Sequence, residues 1–293
     1  MLGCLLALAP LAAQGPQRVA ISGSSTLRPL LHRAQDMLAR QGSGLDLEIF
    51  APGSTLGLES LAAGHCHVAA LGRDLTEGEA AAHRDLVVQR VAVDGVAIVV
   101  HGRNRVRGLT RAQVADVFLG RIRNWKDLGG ADAAIEVVAQ DLRRGATEVF
   151  LRGLGFEGEA VEQGLERRVR LRAKGSREPG HAVLNVGHHY DLLGHVLKRP
   201  DAIGFASSAA VTRLLADGGQ VRALAIDGLI PSRANLENRT YPLRCNLNLV
   251  TRGQPTGPAR ELIEYLLGRE GQALVENLHF VSTAKVPAAG PWR

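Results

Sequence analysis

The sequence predicts an α/β fold arranged as two lobes, and three observations predict it. The chain has 293 residues, room for two cores at roughly 150 residues per domain. From Arg18 onward, short β-prone runs alternate with helical runs, the pattern of helices layered on a largely parallel sheet. Two longer β-prone runs, Val87–Val100 and Tyr241–Val250, are long enough to leave one lobe and enter the other. Two crossings make the first lobe discontinuous, so the expected organisation is a signal-like segment at 1–17, the first lobe at 18–94 and 241–293, and the second lobe at 95–240.

Each element has a local reason. Val19–Ile21 is a strand, and Gly23-Ser24-Ser25-Thr26 turns it into an amphipathic helix reaching about Arg40. The unit repeats as strand Leu45–Phe50, turn Pro52-Gly53-Ser54, helix Thr55–Ala63 and strand Cys66–Leu71. After the first crossing, which Asp94-Gly95 interrupts, Thr110 and Gln113 form a capping box, each side chain satisfying the other's free backbone donor. The helix it starts runs to Leu119 and stops at Gly120. Ile135–Ala139, Ala202–Phe205 and Val221–Ile226 read as strands, with helices at Arg144–Leu154 and Ser207–Leu215. Pro231–Arg239 is a polar segment before the return crossing. Leu262, Ile263, Leu266 and Leu267 then share one face of a helix that follows Pro258 and closes at Gly268.

Composition narrows the function. Hydrophobic residues are 45% of the chain and charged residues 22%, and no internal run approaches the roughly 18 apolar residues of a membrane span. The formal charge of +6 favours anionic partners. Met1–Gln14 is an apolar run ending in small residues, like the hydrophobic part of a secretory signal without its basic start, and export is the expectation. Cys4 has the apolar stretch after it instead of before it, which argues against lipid attachment. Three cysteines are too few for a disulfide framework or a zinc site, and at most Cys66 and Cys245 form one bridge. His65 and His67 share a strand face but lack further ligands, so no metal is expected, and His188, His189 and His195 read as solvent-facing. Arg167, Arg168, Arg170, Arg172, Lys174 and Arg177 alternate with Val169 and Leu171 as a strand with a solvated basic face. Aromatics at 4% argue against nucleic-acid binding. No nucleophile elbow, phosphate loop or dinucleotide fingerprint occurs, so no catalysis and no cofactor is expected.

Three strand-to-helix turns carry the chemistry: Ser24-Ser25-Thr26-Leu27, Gly53-Ser54-Thr55 and Arg144-Gly145-Ala146. A helix start exposes unpaired N–H groups and about half a positive charge, so several aimed at one cleft hold an oxyanion without a metal. Taken singly, each turn is equally an ordinary helix cap.

The stretches AISGSSTLRPLL, FAPGSTLGLESLAAG, VAVDGVAIVVHGRNRVRGLTRAQVADVFLGRIRNWKDLGG, DAIGFASSAAV, RALAIDGLIPSRANLENRTYPLRCNLNLV and ARELIEYLLGREGQAL together resemble the phosphate-binding proteins of bacterial phosphate ABC transporters. The resemblance runs from Val19 to about Ser282. It implies a type II periplasmic binding-protein fold whose lobes close on one anion at a hinge cleft, with the hinge near Val93–Val99 and Leu243–Val250. It further implies an extracytoplasmic, monomeric protein that hands phosphate, or a similar tetrahedral oxyanion, to a membrane permease. By position, the Thr26 hydroxyl, the Leu27 N–H, the Ser54 hydroxyl and N–H and the Gly145 N–H become ligands, with Ser25 beside them. The departures are Gln140 where many members carry Arg, Arg144-Gly145-Ala146 for Ser-Gly-Thr, and Gly72-Arg73 where others carry Asp or Ser-Arg. Arg73 and Arg144 are therefore expected to face the cleft and bind by charge, with weak discrimination between phosphate and sulfate. The rival expectation is a sensory or interaction module whose anion site has decayed.

Overall fold

The computed structural model describes residues 17–164 and 166–283. The signal-like segment and Cys4 lie outside them. β1 (Gln17–Gly23), α1 (Arg28–Arg40), β2 (Leu45–Phe50), α2 (Ser54–Ala62), β3 (Val68–Leu71), α3 (Glu77–Ala82) and the long β4 (Leu86–His101) form the first run. β5 (Gly108–Leu109), α4 (Arg111–Phe118), β6 (Glu136–Ala139), α5 (Gly145–Leu154), β7 (Phe156–Gln163), β8 (Glu166–Ala173) and β9 (His181–Asn185) follow. Then come α6 (His189–Lys198), β10 (Ala202–Ser207), α7 (Ser208–Ala216), β11 (Val221–Ile226), α8 (Arg233–Glu237), β12 (Arg244–Arg252), α9 (Gly257–Leu267), α10 (Arg269–Asn277) and β13 (Val281–Ser282).

One strand joins the two halves. The sheet order is β2-β1-β3-β12-β4-β10-β6-β9-β8-β7, and β4 changes partners part-way along. Its first part, Leu86 to Gly95, pairs antiparallel with β12, while Val96 to Val100 pairs with β10. The exchange falls where the sequence places Asp94-Gly95. Asp94 is 2% exposed and accepts from the hydroxyls of Ser207 and Ser208 and the N–H groups of Gly95 and Ala209. Burial raises its pKa, against the lowering effect of those four donors. The Tyr241 hydroxyl donates to the Val96 carbonyl at 2.9 Å, fixing the exchange point from the other crossing.

Four apolar clusters cover the sheet. Leu27, Leu30 and Leu31 of the α1 region pack with Val68, Leu247 and Leu262 in the first lobe, and Leu58, Leu61 and Leu71 form a smaller cluster. In the second lobe, Phe118, Phe150 and Phe205 share a core with Trp125, the rings of Phe150 and Phe205 stacking at 4.1 Å. Leu192, Val196 and Val211 form another cluster. Trp125 is buried and its indole N–H donates to the Asp201 carbonyl, so it reports the second lobe's core.

The structure adds elements to the expected set. α3 has no buried residue, so it carries no apolar period; a Thr76–Glu79 capping box holds it. α8 lies inside the polar segment and is capped by Ser232. The basic run is β8, with Val169 and Leu171 buried on one face and Arg170 and Arg172 paired with Glu159 and Glu157 of β7 on the other. His67 accepts from the Ala20 N–H through Nδ1 at 2.9 Å, and His195 bonds Glu136 at 3.0 Å.

The Cys66–Cys245 bridge that the sequence leaves open does not form. Both thiols are free and buried, in different apolar clusters. Burial pushes the Cys66 thiol pKa up, and burial with the nearby Asp94 and Asp74 charges pushes Cys245 well up. Neither thiol is therefore expected to react with dithionitrobenzoate in the native protein, and both are expected to react once urea unfolds it, without prior reduction. A need for reductant would contradict the free-thiol assignment.

Candidate functional site

The three turns meet. Gly53 N–H donates to the Gly23 carbonyl at 3.0 Å, tying the start of α2 to the end of β1. Gly72, at the exit of β3, donates its N–H to Ser54 Oγ at 3.1 Å. From the second lobe, the start of α5 closes onto the same point, where a Cβ added at Gly145 would lie 2.7 Å from Ser54 Oγ and 3.1 Å from the Gly72 Cα. A Cβ at Gly72 would lie 2.7 Å from Ser24 Oγ. Thr26, Gly72 and Ala146 line one small void together with Asp94 and Ser207.

The helix starts at this point differ from most others in the molecule. α3, α4, α7 and α8 are capped by Thr76, Thr110, Ser207 and Ser232, and α6 by His188. α1, α2 and α5 have no side-chain cap. α9 and α10 lack one too, but Gly257 and Gly268 at their starts are exposed to water, whereas Ser54 and Gly145 are buried. Among the described residues, no backbone acceptor meets the N–H groups of Ser54, Thr55, Gly145 or Ala146. Two helix starts are thus buried, unfinished and facing one another, the arrangement that gathers partial positive charge for an anion.

A family model described as a PBP superfamily domain matches residues 11–270. The chain belongs to the PBP superfamily. It is 27% identical over 252 residues to the phosphate-binding protein PstS of Bacillus subtilis, covering 86% of this chain and 76% of that one. Among solved structures, it matches one from Clostridium perfringens described as a phosphate ABC transporter substrate-binding protein with bound phosphate. That match has TM-score 0.77 and 26% identity and covers 91% of this chain and 100% of that one. An ABC-type phosphate transport receptor from Vibrio cholerae matches with TM-score 0.70 and 25% identity, covering 90% and 99%. The fold is therefore the two-lobed one of periplasmic phosphate-binding proteins.

The individual side chains of this PBP superfamily member divide into those left open and those already used. The hydroxyls of Ser25 and Thr26 make no hydrogen bond within the described residues, and Ser54, 0% exposed, keeps its hydroxyl proton free to donate. The Leu27 and Thr26 N–H groups already reach Ser24, through its carbonyl and its Oγ respectively, each at 3.3 Å. Gln140 gives its amide to the Phe205 carbonyl at 2.7 Å.

Arg73 does not serve as expected. All five of its N–H groups are taken: Nε by Glu148, Nη1 by Glu79 and the Asp74 carbonyl, and Nη2 by Glu79 and Thr55. Burial alone would lower its pKa, but Glu79 and Glu148 outweigh that and raise it. An arginine with no donor left offers an anion only its distant charge, and its partner Glu148 is 75 residues away in sequence, beyond any local signal. Of the two arginines expected at the cleft, Arg144 is the one with a donor left. Its Nη1 donates to the Ala51 carbonyl at 2.7 Å while its Nε is buried with no hydrogen-bond partner, as is the Thr147 hydroxyl three residues on. Burial lowers the Arg144 pKa, with Asp141 opposing and Arg143 assisting. It sits near His188, whose pKa burial and the charges of Arg144 and Arg28 lower.

Gly53 tests whether closure matters. Its φ is +126°, and an added Cβ would lie 1.9 Å from the Arg143 carbonyl of the other lobe. Gly53→Ala is expected to cost about 1–3 kcal/mol in urea unfolding and to weaken ligand binding further by holding the turns apart. Gly64→Ala, at φ +75° with nothing within 4 Å of an added Cβ, is the control that keeps binding intact.

Proposed function

We propose that this protein captures inorganic phosphate, or a similar tetrahedral oxyanion, between its lobes outside the cytoplasmic membrane and delivers it to an ABC permease. The observation that carries this reading is the pair of buried, uncapped helix starts at Ser54 and Gly145, which oppose each other with no acceptor of their own. The relatives whose names describe phosphate binding and transport support it. Among the described residues no helix is long and apolar enough to cross a membrane.

The proposed ligand set is the Thr26, Ser25 and Ser54 hydroxyls with the N–H groups of Ser54, Thr55, Gly145 and Ala146. Arg144 supplies the formal charge. The partner exchange along β4 supports a hinge at 93–99, with the return crossing at 243–250, and a division of the lobes at 94 and 240. The protein acts as a monomer and catalyses no reaction; it is a carrier.

Selectivity follows from the acceptors. A site that tells hydrogen phosphate from sulfate needs a carboxylate free to accept the extra proton. Glu148 and Glu79 are engaged by Arg73, and Asp94 holds four donors. Calorimetric titration is expected to give a phosphate Kd of about 1 μM or tighter, roughly 8 kcal/mol, with sulfate competing within about a hundredfold. Ser54→Ala removes a donor and strands the Gly72 N–H, so it is expected to weaken binding by roughly 10- to 100-fold. No anion binding by the native protein would overturn the reading, and strong rejection of sulfate would overturn the selectivity argument.

A further inference from the structure

The cluster around Arg73 does something the anion site does not require of it. Arg73, Thr55 and Glu79 belong to the first lobe, and Glu148 lies on the first turn of α5 in the second. The Glu148 carboxylate accepts from Arg73 Nε through Oε2 and from the Thr55 hydroxyl at 2.7 Å through Oε1. Thr55 follows Ser54 on α2, and Glu148 lies one turn beyond Gly145 on α5. Both ends of this contact are thus fastened to the helix starts that form the proposed anion site.

The charges are arranged for reversible contact. Arg73 is 3% exposed, while Glu79 and Glu148 are 21% and 19% exposed. A buried arginine stripped of its only counter-ion is strongly penalised. Here Glu79 stays with Arg73 whatever the lobes do, because both sit in the first lobe. Glu79 is itself fixed by the Thr76 N–H at 2.7 Å, and its pKa is lowered by Arg73 and Thr76 against the raising effect of burial. Parting the lobes therefore strands no buried charge; it only returns Glu148 to water. Two carboxylates on one guanidinium also repel each other, which keeps the second attachment weak enough to break. An isolated Arg–Glu pair in the same place would lock the lobes or leave a buried cation behind.

We propose that Arg73 and Glu148 are a positioning pair for the anion site: an interlobe latch, with Glu79 as its resident counter-ion, that holds the starts of α2 and α5 in register and slows release of the ligand. The proposal rests on the phosphate reading for its kinetic consequence and on this contact alone for its effect on the lobes.

The test uses the full chain, wild type and the variants Glu148→Ala, Glu148→Gln and Thr55→Val, with inorganic phosphate as the probe. Stopped-flow measurement is expected to show phosphate leaving Glu148→Ala about tenfold faster, the factor worth 1.4 kcal/mol, with the association rate changed less than about twofold. Glu148→Gln, which keeps an acceptor but no charge, should fall between the two. Added salt should speed release from wild type by a larger factor than from Glu148→Ala, which keeps only the screening of the anion site itself. Hydrogen exchange on the ligand-free proteins is expected to show the first hydrogen-bonded amides of α2 and α5, those of residues 57 and 148, losing protection together in Glu148→Ala, with α9 as an unaffected control. If Glu148→Ala fails to fold, Glu148→Gln and Thr55→Val decide by the same measurements. Unchanged release and unchanged protection in folded variants would overturn the latch. Failure of wild type to bind phosphate would overturn the functional reading instead, and the exchange experiment would still decide the latch.

Discussion

A buried backbone N–H must find an acceptor, and this protein is organised around two helix starts that leave that demand unmet internally. The contrast with α7 is instructive. Its start is also buried, but there the chain supplies its own anion: Asp94 receives two hydroxyls and the Ala209 N–H, as a bound oxyanion would. At α3, Glu79 meets the Thr76 N–H in the same spirit. At α2 and α5 the chain supplies hydroxyls and N–H donors and no acceptor. Leaving such donors dry costs about 1–3 kcal/mol each, so a ligand with several oxygens is the economical way to satisfy them.

That demand is met only when two lobes come together, and the way β4 is shared makes this possible. A strand that pairs with β12 up to Gly95 and with β10 from Val96 is shared by both halves, and the proposed hinge lies at that exchange. Asp94 and Tyr241 bind this point to both sides. The buried carboxylate thus finishes the start of α7 and pins the exchange point with the same set of bonds. The glycines at the contact complete the design: at Gly145 and Gly72 even a methyl group would meet Ser54 or Ser24, so the donors approach more closely than any side chain would permit.

Much of this was legible in the sequence, and what was not has a physical reason. Period and turn chemistry are local, so the alternation of strands and helices, the Thr110–Gln113 capping box and the Gly-Ser turns could be read from neighbouring residues. The run at 87–100 is legible as one long strand because few strands need that length, whereas the strand in the run at 241–250 begins only at Arg244 and pairs with β3 and the first part of β4. α3 and α8 are not legible because helices of six and five residues are too short to show an apolar period: α3 buries no side chain and is marked by its cap, and α8 buries Leu236 alone of its five residues. In the sequence Arg73 reads as an anion ligand because the resemblance sets Gly72-Arg73 at the cleft. Its carboxylates were invisible, since Glu148 becomes its neighbour only through the fold. Cys66 and Cys245 looked like a possible bridge by count, and only the fold separates them into different clusters.

The departures from the resembled family then read as one coordinated change. By that resemblance Ala146 lacks a hydroxyl donor and Gly72 lacks a carboxylate or hydroxyl, while the Gln140 amide is spent on the Phe205 carbonyl inside the second lobe. On the proposed reading, neutralising a doubly charged ligand falls on two helix starts and on Arg144, whose buried Nε has no hydrogen-bond partner. Helix-end charge decays within about one turn, so such a site works only if the two starts stay in contact. The loss of side-chain ligands and the Arg73–Glu148 contact are in this sense complementary. The fewer hydroxyls reach across the cleft to the ligand, the more closure depends on what the lobes hold between themselves.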